Sequence, residues 1–148
     1  MHTVHQSQLP FGGMSYEFVG AAQSGVAVSF FLVNGEPGRG TKLHSHDYDE
    51  VVYVIEGQST WTVNGQEREA KAGDVLVVHA GEPHKFVNSG DGVLRQIDIH
   101  LNSELKRRGW KNSGSESRKR FRGWRFAARA GVPFWGSWRR RRRERASA

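Results

Sequence analysis

Residues 38–57 read GRGTKLHSHDYDEVVYVIEG, and three side chains within seven residues of this stretch, His44, His46 and Glu50, are of metal-ligating type. On a β-strand, residues i and i+2 point to the same face, so His44 and His46 can aim at one point. Glu50 stands immediately before VVYVI, a run dominated by β-branched residues. A fourth candidate, His84, lies in a second Gly-bounded stretch, GDVLVVHAGEPHKFVN, residues 73–88. Three imidazoles and a carboxylate suit a divalent transition metal. The chain has no cysteine, which excludes disulfides, thiolate metal sites and thiol nucleophiles and leaves N and O atoms as the ligands.

Outward from this stretch the sequence reads as many short strands. Residues 15–22 and 26–34 are rich in aromatic and β-branched side chains. The apolar run 51–55 fits a strand buried on both faces or one curved into a barrel. Residues 60–63 lead into Asn64-Gly65, a hairpin signal because both positions accept positive φ, and 67–71 return. Residues 75–78 and 85–88 follow, separated by Ala80-Gly81-Glu82-Pro83. The last strand, 93–101, alternates, with Leu94, Gln96, Asp98 and His100 on one face. Short strands with regular turns and no helical period point to an all-β barrel or sandwich. Phe30, Tyr53, Trp61 and Phe86 are expected in its core.

Written as spacing, the first stretch is G-x5-H-x-H-x3-E-x6-G, with Gly38, His44, His46, Glu50 and Gly57 in place. The second is G-x5-H-x-G-x2-H-x3-N, with Gly73, His79, Gly81, His84 and Asn88. This pair of motifs resembles the two signatures of the cupin superfamily. The first matches throughout. The second departs once, where the family usually carries proline and this chain has His79. The short spacer, residues 58–72, is similar to that of small single-domain microbial cupins. The resemblance implies a small antiparallel barrel of jelly-roll, double-stranded β-helix type over residues 15–101. It also implies one metal held by His44, His46, Glu50 and His84, with Fe, Mn, Ni or Co expected and Zn or Cu open. Homodimerisation is implied as well, and the open strand edges of a small barrel give it a physical reason.

The remaining polar residues divide. His79 reads as a polar residue in a turn, either exposed or packed behind the ligands. His100 lines the pocket as an acid/base group if its strand face points inward, and is otherwise a rim residue. Glu50 is a candidate base as well as a ligand. Gly38, Gly57, Gly73 and Gly81 are turn residues needing unusual φ, and Asn88 holds a strand end.

The net charge of +7 over 148 residues averages two unlike halves. Residues 1–102 carry −6 and residues 103–148 carry +13, a break that marks a boundary. The segment 102–148 holds four of the five tryptophans, one valine, no isoleucine and the run Arg139 to Arg143. Such composition disfavours a packed core, so a disordered basic tail is expected after a domain at 15–101 and an arm at 1–14. The tail has three readings: a solvated extension, an out-of-frame translation beginning near residue 102, or a nucleic-acid-binding segment in which Arg meets phosphate and Trp stacks on bases. The first thirteen residues, MHTVHQSQLPFGG, lack a basic start and an apolar run. No stretch reaches the roughly 18 apolar residues of a membrane span. A cytoplasmic protein without membrane partners is expected. Functionally the sequence points to a metal-dependent oxygenase, decarboxylase or isomerase acting on a small organic substrate, with a non-catalytic ligand-binding module as the alternative.

Overall fold

A computed structural model describes residues 1–23 and 25–109. Among these, ten strands appear in chain order: β1 (Ser15–Phe18), β2 (Ser29–Gly35), β3 (His44–Ser45), β4 (Glu50–Glu56), β5 (Gln58–Val63), β6 (Gln66–Lys71), β7 (Val75–Val78), β8 (His84–Asn88), β9 (Leu94–His100) and β10 (Arg108–Gly109). They form two antiparallel sheets of five, ordered β1-β2-β9-β4-β7 and β10-β3-β8-β5-β6. The all-β barrel expected from the sequence is therefore present.

Turn chemistry shapes the barrel. Asn64 and Gly65 take φ of 52° and 78°, and β5 pairs directly with β6 through Val63 and Gln66. The four expected turn glycines all take positive φ. Gly57 matters most, because it alone joins β4 in the first sheet to β5 in the second. It has φ 84°, and a Cβ there would come within 2.7 Å of the Val93 carbonyl oxygen. Any side chain at this corner would meet backbone.

Phe31, Val33, Val52, Val54, Trp61, Ala70, Val78, Phe86 and Leu94 interlock as the core. Trp61 stacks on Phe86 across β5 and β8 at 4.9 Å, and burying each such side chain contributes about 1.5–3 kcal/mol. Burial on both faces does not hold for β4. Val52 and Val54 point inward, whereas Tyr53 and Ile55 are each 44% exposed. A register shift between Val54 and Glu56, opposite Arg95, supplies the curvature instead. Tyr53 therefore lies outside the core, and so does half-buried Phe30, which stacks on Phe18 at 4.4 Å. The expected strand 15–22 stops at Phe18, and Gly20–Ala22 forms a 3₁₀ turn.

Both flanks are more structured than composition suggests. In the arm, His5 and Gln8 cap the turn Gln6–Gln8 reciprocally, and Leu9 is buried. Val4 and Leu9 share a groove with Phe18, Phe30 and Leu32 on the outside of β1 and β2. Past residue 101, β10 pairs with β3 in the register Arg108↔Ser45 and Gly109↔His44. The Tyr48 hydroxyl accepts from the Lys106 N–H at 3.0 Å and donates to the Lys106 carbonyl at 3.2 Å. Residues 102–109 thus pack on the barrel. The expectation of disorder for 110–148 lies outside the described residues. No helix among the described residues is long and apolar enough to cross a membrane.

Candidate metal centre

The inner faces grade from apolar to polar along the barrel. On β4 the inward side chains run Glu50, Val52, Val54, and on the antiparallel β9 they run His100, Asp98, Gln96, Leu94. Glu50 pairs with His100 in register, and His44 with His84. Strand pairing therefore brings four of the expected residues to one end of the barrel, and His46 reaches the same place from the segment after β3. All five are buried.

His44, His46 and His84 form one group able to surround a cation, and His46, Glu50 and His100 form another. One Glu50 oxygen, Oε2, lies 2.9 Å from His46 Nε2 and 3.2 Å from His84 Nε2. The other, Oε1, lies 3.6 Å from His100 Nε2. Every residue assigned to metal binding or catalysis from the sequence is thus in this cluster. His79 is exposed in its turn, 3.7 Å from Asp49.

The imidazole orientation tests whether a metal fits. His44 Nδ1 donates to the Lys42 carbonyl at 2.8 Å, His46 Nδ1 to the Tyr48 carbonyl at 2.6 Å, and His84 Nδ1 to the Glu82 carbonyl at 2.8 Å. A neutral imidazole with its proton on Nδ1 presents a lone pair at Nε2. Three Nε2 lone pairs and the Glu50 carboxylate then face one another. Acceptors so close need a cation between them, either a proton or a metal. His84 Nε2 supports this reading, being buried without a properly directed hydrogen bond despite its approach to Glu50. The donor set fits a divalent transition metal.

The electrostatics agree. Burial would raise the Glu50 carboxyl, but hydrogen bonding with His46 and the close approach of His84 and His100 hold it well below the usual range. Burial lowers His44 and His100 to about 4, so both are neutral near pH 7. Burial also opposes protonation of His84, yet contact with Glu50 raises it. The cluster is acid-poor and ready to exchange a proton for a metal ion.

Three surrounding residues were not singled out from the sequence. Tyr48 stacks on His46 at 4.4 Å, the two rings nearly parallel. Asp98 is pushed well above its ordinary value by burial and by Glu50, and accepts from the Gln96 amide at 2.7 Å. The alternation of β9 placed both Gln96 and Asp98 on the face of His100. Arg107 lies over the Phe31 ring, 4.6 Å from its centroid, and no local pattern announces it.

The sequence model of the family described as "Cupin domain" matches residues 31–100. The chain is similar to the HTH-type transcriptional regulator PuuR of Escherichia coli (strain K12), with 29% identity covering 60% of this chain and 48% of that protein. It is also similar to an oxalate-binding protein of Thermotoga maritima, with 36% identity covering 43% of this chain and 53% of that protein. The chain thus spans about half the length of these curated relatives. Among solved structures, Bacillus subtilis oxalate decarboxylase, studied for its Mn(II) centres, superposes with a TM-score of 0.61 at 26% identity. That alignment covers 70% of this chain and 30% of that one.

Proposed function

We propose, from the match of residues 31–100 to the cupin family model, that His44, His46, Glu50 and His84 hold one divalent transition metal that serves to transform a small organic substrate. The observation that carries this reading is the backbone anchoring of three imidazoles, which leaves three Nε2 atoms and a carboxylate converging. The similarity to a Mn(II)-containing decarboxylase supports a redox-capable ion of the Mn or Fe kind. When bound, such an ion supplies Lewis acidity toward substrate oxygens and access to O₂ chemistry.

The chain's own residues do the rest. Glu50 Oε2 faces the imidazoles, while Oε1 faces His100 and is the oxygen available as a base. His100 differs from the other three histidines, because its Nδ1 meets no partner among the described residues. Neutral and buried, it can take up or return a proton beside Glu50. Trp61, Phe31 and Tyr48 pack their rings against His84, His100 and His46. The reaction classes this supports are O₂-dependent oxidation, decarboxylation and isomerisation. Apolar side chains on the outer face of the first sheet support a homodimer.

A second reading is a non-catalytic module that binds a metabolite, favoured by the similarity to a transcriptional regulator. Metal analysis of the purified protein and oxygen uptake with a substrate panel separate the readings. One equivalent of metal with turnover supports the enzyme; tight ligand binding without turnover supports the module. If His44→Ala changes neither metal content nor melting temperature, the metal centre itself is refuted.

A further inference from the structure

Three consecutive cations, Lys106, Arg107 and Arg108, are exposed beside the end of the barrel that holds the cluster, and they are not equivalent. Lys106 Nζ lies 2.8 Å from Glu104, and Arg108 lies 3.7 Å from Asp47. No carboxylate among the described residues comes within ion-pair distance of Arg107. Its position is nevertheless fixed from both sides. The Tyr48 hydroxyl clamps the backbone of residue 106, and the β10–β3 pairing begins at residue 108.

The guanidinium sits on Phe31, whose ring meets the His100 ring edge-on at 5.1 Å. One aromatic ring therefore separates a free cation from the metal cluster. Arg107 and His44 line one cleft of about 370 Å³, together with Arg39 and Lys42 and with Glu17 as its one acidic residue. That volume suits a small ligand. The cleft is net positive, and a bound divalent ion would make its inner end more so.

We propose that Arg107 anchors the substrate, and that the substrate is a small organic molecule bearing a carboxylate which enters by this cleft. A guanidinium offers a planar fork of N–H donors that matches a carboxylate bidentately. Stacked on Phe31, the fork is held in plane and loses little freedom on binding. This assignment rests on the metal centre only for where the substrate's other end reacts; the anchoring itself does not require metal. Arg107 is a positioning and specificity residue, and its effect falls on affinity and choice of ligand.

The test is titration calorimetry of metal-loaded and metal-stripped full-length protein with acetate, malonate and succinate. The matching primary amides and methyl phosphate are the controls. The wild-type protein is expected to prefer carboxylates over amides at least tenfold. Arg107→Gln, which keeps a stem over Phe31, should abolish that preference, Arg107→Lys should retain part of it, and Lys106→Gln should leave it unchanged. In the wild-type protein, malonate should also protect Arg107 from phenylglyoxal, read by peptide mapping, a measurement independent of whether variants fold. The idea is overturned if wild type does not discriminate carboxylate from amide, if methyl phosphate binds more tightly than any carboxylate, or if Arg107→Gln binds as wild type. A carboxylate preference that depends on Arg107 in protein unable to take up metal would sink the metal reading and keep this one. Stoichiometric metal with an inert Arg107→Gln would do the reverse.

Discussion

The two sheets share an interior but present opposite exteriors. On the second sheet the outward residues of β5, β6 and β8 are Gln58, Thr60, Thr62, Glu67, Glu69, Lys71, Lys85 and Val87, a solvated surface with both charge signs interspersed and one exposed valine. On the first sheet β4 and β7 turn Val51, Tyr53, Val75 and Val77 outward, with Val75 64% and Val77 54% exposed. The arm covers only the β1–β2 side of this face. Inside, the contrast is chemical. The second sheet contributes His44 and His84, while the first contributes Glu50 and His100 together with the polar pair Gln96 and Asp98. The first sheet therefore carries the carboxylates, one imidazole and an apolar back that the described residues leave largely exposed, and the second carries two imidazoles and a mostly polar surface. On the proposed reading, the inner side of the first sheet faces a substrate and its outer side a second copy of the chain.

The contrast can be broken most severely from within the second sheet. Trp61→Ala is expected to cost about 3–5 kcal/mol, read as a fall in the denaturation midpoint, because Trp61 is 1% exposed and stacked on Phe86. Next comes His84→Ala, which should weaken metal binding at least a hundredfold, about 2.7 kcal/mol. Metal content after dialysis checks it, with circular dichroism confirming that the barrel persists. Exchanging the outer faces is the third test. Val77→Glu should weaken self-association at least tenfold, about 1.4 kcal/mol, by sedimentation equilibrium, whereas Thr62→Glu on the other sheet should not. If both variants sediment alike, the two exteriors are equivalent and the dimer assignment is wrong.

The smallest effect concerns Asp98. Its folded proton affinity is raised by burial, so the native state binds more protons than the unfolded chain. Stability contributed by the protonated group is complete below the ordinary aspartate range and is lost as pH rises toward the elevated folded value. Asp98→Asn, which keeps an acceptor for Gln96, should match wild type at pH 4 and melt higher at pH 8. A wild type whose melting temperature is equally high at both values would show that Asp98 is ionised in the fold.

Much of the barrel is legible in the sequence because turn and strand chemistry act locally. Asn64-Gly65 demands its hairpin, and the alternation of residues 93–101 places Gln96, Asp98 and His100 on one face without tertiary information. The ligand spacing is legible for a related reason, since His44 and His46 are both buried on either side of half-buried Ser45, as strand alternation predicts, although β3 itself ends at Ser45. Two features are not. Val51, Tyr53 and Ile55 read as core because an apolar outer face has the same composition whether its own chain or another molecule covers it. Arg107 falls within the basic segment by composition, because its neighbours are Lys, Arg and Gly. Its placement depends on two residues of β10 pairing across more than sixty positions and on a tyrosine hydroxyl, which no local pattern encodes.

The three imidazoles are oriented by the carbonyls of residues 42, 48 and 82, each two positions away along the chain. A carbonyl is present whatever side chain the residue carries. Lys42, Tyr48 and Glu82 can thus be exchanged without deleting any acceptor that aims the site. The centre is insulated from sequence drift in its immediate surroundings, and the rim around it is free to diversify toward new ligands while the same three nitrogens stay aligned.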